Sequence, residues 1–308
     1  MADSTVDVAR TLQYGTMIQS LSQQVKARFP SRVRNETIVG AKAKSFDLLG
    51  EAESQESTVR HGDTPLNEIE HTRRWVSMTD EDTGTLLDKQ DEWQMLLDPK
   101  NKYTQHQAMQ LGRKQDDLII AAAVGTAFTG ETIGTANVAF KDDSISINGD
   151  GTVTSLGTLA VPATEVDITI AKMLIMMLIF NQEDVDPSIT KYWAMNPKSI
   201  ADLLALEQIG SADYATLKNL QNGGVDFYAG FQLFWSNRIL KNTTDSTCYR
   251  SLAWAEDGLV FGQAKDITAR ISERADKKYS WQVYSVISCG AVRLEGAKVH
   301  ECLNKVAQ

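Results

Sequence analysis

The sequence has few cysteines and no surplus of positive charge. Three cysteines among 308 residues are too few for a disulfide framework, and an odd number suits a reducing compartment. The net charge of −9 argues against a protein that wraps nucleic acid, because phosphate groups are bound by lysine and arginine. The N-terminus is polar and acidic, unlike a signal peptide, and the longest apolar runs, 118–128 and 168–180, are too short to span a bilayer. We therefore expect a soluble intracellular protein.

Sequence motifs for catalysis are also missing. Residues 125–132 have the glycine spacing of a phosphate-binding loop, but Glu131 stands where that loop needs a lysine and would repel phosphate. Ser188 and Lys191 have the spacing of a penicillin-binding serine–lysine pair, but the Lys-Thr-Gly segment that should accompany them is missing. The acidic pairs at 116–117 and 142–143 fall on polar faces, where we expect water to solvate them. The sequence therefore predicts no catalytic residue and no cofactor, and we do not expect an enzyme.

Metal-binding residue types come together in one part of the sequence. The four histidines are scattered and form no His-Glu-x-x-His pair. A turn at 295–296 would place Cys289 opposite Cys302, with His300 beside them on one sheet edge. No fourth ligand is visible, which favours reduced thiols next to a polar histidine, and we predict no metal. The alternative is a cytosolic ligand-binding protein or enzyme that uses this edge.

The most regular feature of the sequence is a helix predicted over residues 103–128. Small and apolar residues recur in it at helical spacing and predict a slim buried stripe. They are Ala108, Leu111, Leu118, Ala122 and Gly125. Thr104 is predicted to cap the first turn and Gly130 to end the helix.

A hairpin with a long polar tip precedes this helix. Its strands are predicted at 42–49 and 72–78, where successive residues face opposite sides of the strand. The tip, 51–70, has too few apolar residues to fold alone, so it is either a solvated loop or held by a partner. Its charges are segregated, and together with one aromatic residue they form the candidate contact set. This set contains Glu51, Glu53, Glu56, Arg60, Arg73, Arg74 and Trp75.

Helices and strands mix irregularly in the rest of the chain. The first forty residues show no core pattern and are expected to form a free arm or a disordered terminus. Helices are predicted at 79–97, where Thr79 and Asp82 have capping-box spacing, near Thr164, and after the Asn196 cap. A polar surface insertion is predicted at 132–162, and strands at 191–195, 227–233, 247–255 and within 266–303. Without a regular β-α-β period, this mixture predicts an α+β fold.

The order and spacing of these elements resemble those of tailed-bacteriophage major capsid proteins, which share the Hong Kong 97-type coat fold with encapsulin shells. Residues 72–131 carry most of the resemblance. They run from the return strand of the hairpin, through the Leu-Asp-Pro turn at 97–99, into the long helix with its Leu-Gly-Arg-Lys segment. The Asn-Pro pair at 196–197, the Gly-Phe pair at 230–231 and the strand at 266–274 fit later parts of the family pattern. The tip and the insertion cannot be matched residue by residue.

The resemblance implies how the chain is divided. Residues 1–40 would form an N-terminal arm, and 41–78 an extended loop, a β-hairpin that lies across a neighbouring subunit. Residues 79–165 would form a peripheral domain that contains the spine helix, 103–128, and the surface insertion. Residues 166–263 would form an axial domain around the hexamer and pentamer axes, and 264–308 the closing strands of the peripheral domain.

The resemblance also implies a function. The chain would assemble through hexamers and pentamers into the icosahedral head shell that encloses the double-stranded DNA genome, without reading its sequence. Its partners would be copies of itself, a portal at one vertex, a decoration protein in some phages and a scaffolding protein. The scaffolding protein is expected to be separate, because only about forty residues precede the loop. Assembly would occur in the host cytoplasm and the product would be the virion, with no membrane involved. The alternative with the same fold is an encapsulin-like cargo shell.

Overall fold

A computed structural model describes residues 21–54, 56, 66–89, 100–147, 167–205, 227–242 and 248–305. The helices are α1 Lys100–Val124, α2 Phe140–Asp143, α3 Ile170–Gln182 and α4 Pro197–Ala205. The first seven strands are β1 Arg34–Thr37, β2 Ala43–Leu49, β3 His71–Ser77, β4 Thr79–Leu87, β5 Ala127–Thr129, β6 Ala136–Val138 and β7 Ser146–Ile147. The later strands are β8 Lys191–Met195, β9 Phe227–Tyr228, β10 Phe231–Trp235, β11 Cys248–Ala255, β12 Leu259–Arg274, β13 Ser280–Arg293 and β14 Val299–Lys305.

The strands of the described residues form three sheets. One has six strands in the order β7-β14-β11-β8-β10-β9, and two have four strands each, in the orders β1-β12-β13-β4 and β2-β3-β5-β6. Parallel and antiparallel pairs occur together, and α3 and α4 lie between strands of one sheet in the sequence. This mixture confirms the predicted α+β class.

The chain divides into two compact units. The smaller unit contains residues up to 26, 81–113 and 267–287, and the larger contains 27–80, 114–266 and 288–308. In the smaller unit the buried Gln107 side chain donates to the Val283 carbonyl at 3.0 Å and accepts from the Ser285 hydroxyl at 2.8 Å. Because a buried amide must find partners, these bonds fix Gln107 on α1 to strand β13.

Helix α3 belongs to the core of the larger unit because it is apolar on nearly every side. The hydroxyl of Thr169 accepts a hydrogen bond from the Lys172 amide at 3.3 Å, so the helix begins at Ile170 and not near Thr164 as predicted. Its Met173, Met176, Ile179 and Phe180 are fully buried and pack with Trp193, Met195 and Leu233 of the six-stranded sheet. Each such side chain contributes about 1.5–3 kcal/mol through burial.

Two short elements after α3 follow the sequence prediction closely. Strand β8 has the predicted bounds, and all of its residues are buried. The Asn196 side chain accepts from the Lys198 amide at 2.9 Å, and α4 begins at Pro197. The predicted cap is therefore confirmed, and the fixed backbone of proline suits the first helical position.

The long helix is confirmed, but its bounds and its buried face differ from the prediction. It ends at Val124, because Ala127–Thr129 form β5 instead. Thr104 does not cap it, since its hydroxyl donates to the Lys100 carbonyl at 3.0 Å inside the first turn. The predicted stripe is displaced by about one residue, and only Leu111 of that set is buried. The buried face contains Gln107, Leu111, Gln115, Asp116, Ile119, Ile120 and Ala123.

Residues 79–87 form strand β4, so the predicted helix at 79–97 is wrong over its first half. Thr79, Thr83 and Thr85 are β-branched and favour an extended chain, and Gly84 weakens a helix. The Thr79 hydroxyl donates to the Cys289 carbonyl at 3.0 Å and does not cap a helix. Residues 90–97 lie outside the described residues.

The predicted surface insertion is partly core. Strand β6 extends the sheet of the hairpin, and β7 pairs in parallel with β14. Phe140, Ile145 and Ile147 are buried, so residues 136–147 are integrated into the larger unit. The predicted hairpin at 145–154 falls mostly outside the described residues.

The segment before the hairpin is also more ordered than the sequence suggests. Phe29, Val33 and Ile38 are buried, and β1 pairs in parallel with β12. The Phe29 ring stacks on Trp254 at a centroid distance of 5.6 Å. The expectation of a free arm over residues 1–40 is therefore wrong for 29–38, and residues 1–20 lie outside the described part.

The sequence predicts that the last two strands lie opposite each other, but in the structure they do not. Strand β13 pairs within a four-stranded sheet, whereas β14 pairs with β11 in the six-stranded sheet. Cys302 lies opposite Ser251, not Cys289. The turn at 295–296 therefore changes sheets, and Cys289, Cys302 and His300 do not share an edge.

Candidate assembly surfaces

The hairpin of β2 and β3 is confirmed by the structure. The strands pair antiparallel from Ala43 opposite Ser77 to Leu49 opposite His71. A hydrogen bond of 2.8 Å from the Gly50 amide to the Glu70 carbonyl continues the pairing toward the tip. The other edge of β3 pairs with β5 only at Arg74 and Trp75. Beyond Arg74, the hairpin has no further strand beside it among the described residues.

The two faces of the hairpin differ in burial, as the alternation along β3 predicts. Val76 is fully buried and packs with Ile38, Val260, Val292 and Leu294. Trp75 lies on the opposite face, is half-buried, and donates its indole N–H to the Gly130 carbonyl at 2.9 Å. Trp75 is thus anchored within its own chain.

Arg73 and Arg74 are both engaged within their own chain, but in different environments. Arg74 Nη2 donates to Asp143 at 2.7 Å, its Nε donates to the Leu294 carbonyl at 3.1 Å, and the side chain is only 11% exposed. Arg73 donates across the hairpin to Asp47, and this hydrogen bond raises the pKa of Arg73 and lowers that of Asp47. The Arg73 pair is exposed and contributes little to stability, so it can exchange for another partner. The Arg74 pair cannot, because a buried charge must stay paired.

The tip of the hairpin presents acidic and apolar groups together. Glu51, Glu53 and Glu56 are exposed, and so are Leu49, Ile69 and Leu66, the last at 92%. Arg60 lies outside the described residues. No described part of the chain covers these side chains, which makes the tip a candidate contact surface.

A buried ion cluster at the base of the hairpin was missed by sequence reasoning. Arg293 is fully buried, and its Nη1 donates to the carbonyls of Ala123 and Gly125 at 2.9 Å each, at the C-terminus of α1. Its Nη2 lies 3.0 Å from Asp143, the same carboxylate that binds Arg74. Burial lowers the pKa of Arg293, and the charge of Asp143 opposes that shift. Asp143 was predicted to be solvated, but it is largely covered and paired with two arginines.

Close backbone packing supports this cluster. A Cβ added at Gly296 would lie 1.8 Å from the Asp143 carbonyl oxygen, so only glycine fits there. The sequence does contain a signal for the burial of Arg293. Its neighbours in sequence, Val292 and Leu294, are apolar. Adjacent residues of a strand face opposite sides, so these two lie on the face that Arg293 does not occupy. A strand segment that is apolar except for one arginine indicates that protein covers both faces of the strand.

Asp116 forms a second buried connection that was expected to be solvated. It is fully buried, and its Oδ1 accepts from the backbone amides of Arg28 at 2.9 Å and Phe29 at 3.1 Å. Its neighbour Asp117 pairs with Arg238. Asp116 thus anchors the segment before β1 instead of facing water, whereas Asp117 stays partly exposed beside Arg238.

The residues considered for metal binding have structural roles. The buried His300 ring accepts from the Ile145 amide at 3.1 Å and contacts the Ala297 carbonyl at 2.8 Å, and burial lowers its pKa to about 4. Burial raises the pKa of the Cys302 thiol to about 12, which disfavours a thiolate ligand. In the part of the chain that the structure describes, no three His, Cys, Asp or Glu side chains are grouped to hold a metal.

No helix among the described residues is long and apolar enough to cross a membrane. A family model for phage capsid proteins matches residues 6–306. The chain belongs to the phage capsid protein family.

Solved capsids support the same conclusion at the level of the fold. The capsid of the cyanophage P-SCSP1u is similar with a TM-score of 0.71 at 16% identity, over 98% of this chain and 94% of that one. The capsid of Ralstonia phage GP4 has a TM-score of 0.68 at 12% identity, over 100% of this chain and 98% of that one. The capsid of a native GTA particle has a TM-score of 0.67 at 13% identity, over 98% and 97%. A comparison with curated proteins finds no match.

These findings confirm the resemblance read from the sequence. The capsid protein has the Hong Kong 97-type coat fold. It is a major capsid protein, a virion component that associates with its own copies to form the phage head shell. This function needs contact surfaces, and the hairpin tip is the candidate.

Proposed function

We propose that this capsid protein assembles through hexamers and pentamers into an icosahedral shell around double-stranded DNA, and that it has no catalytic role. The observation that carries the proposal is the hairpin tip. Its base is fixed by Asp143, Arg74 and Trp75, while its acidic and apolar end has no cover among the described residues. Exposed apolar groups next to charges are typical of protein–protein contacts. In a shell, the available partner is a neighbouring copy.

The parts of the coat fold are assigned as follows. The hairpin of β2 and β3 is the extended loop, and α1 is the spine helix of the peripheral domain. Residues 166–263 are the axial domain, supported by the apolar core that α3 shares with β8, β10 and β11, to which β7 and β14 add Ile147 and Cys302. The segment before β1 is the N-terminal arm, held at its end by Asp116. Residues 264–308 contribute closing strands.

Further partners follow from the same proposal. They are a scaffolding protein, a portal at one vertex and, where the shell is decorated, a decoration protein. Assembly takes place in the host cytoplasm. The net charge of −9 suits a wall that does not hold the packaged DNA, because tight phosphate binding needs a basic surface.

Sedimentation and negative-stain imaging of the expressed full-length chain, alone and with its scaffolding partner, test the proposal. Closed shells or ring-shaped capsomers are expected. Small particles under all salt and protein concentrations would contradict it. The contents of shells from infected cells separate the two uses of this fold: nuclease-protected DNA supports a phage head, and a packaged enzyme supports a cargo shell.

A further inference from the structure

A cavity of about 380 Å³ lies within the larger unit, between α3 and the strands β8 to β10. Its volume is in the range of small-molecule sites, roughly 300–1,000 Å³. Met177 and Phe180 of α3 form one side, and Phe231 of β10 forms another. Phe227, which is 62% exposed, also lines it. The cavity is thus mainly apolar and aromatic.

One charged side chain of the described residues lines this cavity. Lys191, at the start of β8, is only 8% exposed, and its Nζ lies 5.7 Å from the centre of the Phe180 ring. Among the described residues, no hydrogen bond or ion pair joins Lys191 Nζ to an acceptor. Burial lowers the pKa of Lys191, and the charge of Asp186 only partly opposes this shift. The Nζ atom itself remains reachable by solvent, so an anion that enters the cavity can pair with this ammonium without displacing a described acceptor.

The polar groups around Lys191 do not supply that anion. Asn181, Ser188 and Thr190 are neutral and line the same cavity. Asp186 is exposed and is occupied by Ser188, whose amide donates to it at 2.8 Å. Ser188 and Lys191, which have serine–lysine spacing in the sequence, therefore line the same cavity. Ser188, however, bonds to Asp186 and not to Lys191. A nucleophilic pair is not formed.

We propose that this cavity binds a carboxylate carried on an apolar group. The Lys191 ammonium is its counter-ion, and the apolar part lies among Phe180, Phe227 and Phe231. A carboxylate fits better than a phosphate, because one lysine balances one negative charge and the aromatic side chains favour an apolar stem. The carboxylate has two sources with the same chemistry: a free small molecule, or an acidic side chain of a neighbouring copy in the shell.

The test uses the full-length chain with labelled methionine methyl groups, so that the signal of Met177 reports on the cavity. Phenylpropionate is the probe, and phenylpropanol is its uncharged match. Lys191→Met keeps the length of the side chain and removes the charge, and Lys277→Met, at an exposed lysine, is the control. We expect Lys191→Met to weaken phenylpropionate binding about tenfold or more and to leave phenylpropanol binding unchanged. The control variant should bind both probes like the parent chain. Equal binding of both probes by the parent chain would overturn the proposal.

A second variant protects the test against a folding defect. Phe227→Ala changes an exposed side chain, so the fold is expected to persist, and it should weaken both probes. Unchanged affinity for both would also overturn the site. Labelled phenylpropionate added to subunits and to pelleted shells then identifies the source. Binding to subunits alone, with slower assembly, indicates a neighbouring carboxylate, and binding to both indicates a free ligand. Binding to neither refutes the proposal.

Discussion

The Asp143 carboxylate lies 3.0 Å from the Arg293 guanidinium, deep in the larger unit. Its second oxygen accepts a hydrogen bond from Arg74 Nη2 at 2.7 Å. Because Arg293 also donates to the carbonyls of Ala123 and Gly125 at the C-terminus of α1, this one carboxylate connects the base of the hairpin to the end of the long helix. One charge cluster therefore holds the base of the hairpin and the end of the long helix together.

Asp143→Asn should destabilise the unassembled chain strongly. The change leaves two cations, Arg74 and Arg293, without their anion, and breaking a buried pair in this way costs about 3–5 kcal/mol. Asp142→Asn is the matched control, because Asp142 is the exposed neighbour and surface changes stay within about 0.5 kcal/mol. Denaturant unfolding measures both. Equal midpoints for the two variants would show that the cluster does not stabilise the fold.

Ala123→Glu should prevent recovery of soluble subunit. Ala123 is fully buried on α1, and an unpaired buried carboxylate costs several kcal/mol, comparable with the stability of a whole domain. Ala122→Glu, one residue away on the half-buried side, should be tolerated better. The sequence alone favoured Ala122 as the sensitive position. Soluble yield and melting temperature decide between the two, and a more damaging Ala122→Glu would restore the original assignment.

Patterns that depend on local chemistry were predicted well from the sequence. The strands of the hairpin, the Asn196 cap and β8 follow from alternation, capping and an apolar run, and all three were confirmed. The long helix was found because its pattern is long, but its buried face was displaced by about one residue. Periodicity does not say which face is covered when polar residues such as Gln107 and Asp116 belong to that face.

Features that depend on long-range contacts were not predictable in the same way. Residues 79–87 have capping-box spacing, but pairing with β13 makes them a strand. Asp116 and Asp143 look like solvated acidic residues until the backbone of Arg28 and the guanidinium of Arg293 are brought to them. Their partners are far away in the sequence. The apolar neighbours of Arg293 signal its burial, but nothing in one sequence identifies Asp143 as its partner. The tip residues that the structure describes, 51–54, 56 and 66–70, are exposed as expected, because their composition cannot form a core.

Acidification should destabilise the subunit through His300. Burial lowers the pKa of the folded His300 to about 4, below its ordinary value of 6.5. The unfolded chain therefore binds a proton where the folded chain does not, and stability is lost as the pH falls from about 6.5 toward 4. The full effect is about 3 kcal/mol. His300→Gln should flatten this part of the stability profile, and His106→Gln, at an exposed position, should not. Parallel profiles for His300→Gln and the parent chain would contradict the assignment.

Single substitutions of the two hairpin arginines should distinguish an effect on folding from an effect on assembly. Arg74 is buried against Asp143, so Arg74→Glu places two carboxylates together and should destabilise the subunit itself. Arg73 is exposed and paired only with Asp47 among the described residues, so Arg73→Glu should leave the fold intact. A double change would mix these effects, and the single Arg73 variant is the cleaner probe of contacts between copies.

Arg73→Glu should weaken assembly if Arg73 meets Glu51 and Glu53 at the acidic tip of a neighbouring copy. One exposed ion pair contributes only about 0–1 kcal/mol. Every subunit of a shell repeats the contact, however, and each 1.4 kcal/mol changes an affinity about tenfold, so small losses multiply. Adding Glu51→Arg and Glu53→Arg should partly restore assembly, whereas Asp47→Ala, which removes only the pair within the chain, should leave assembly near the parent level. Sedimentation at low salt gives the yield, with circular dichroism to verify the fold. Parent-like assembly of Arg73→Glu would mean that the hairpin charges are a solvated face and that the tip binds its neighbour through Leu66 and the other apolar groups.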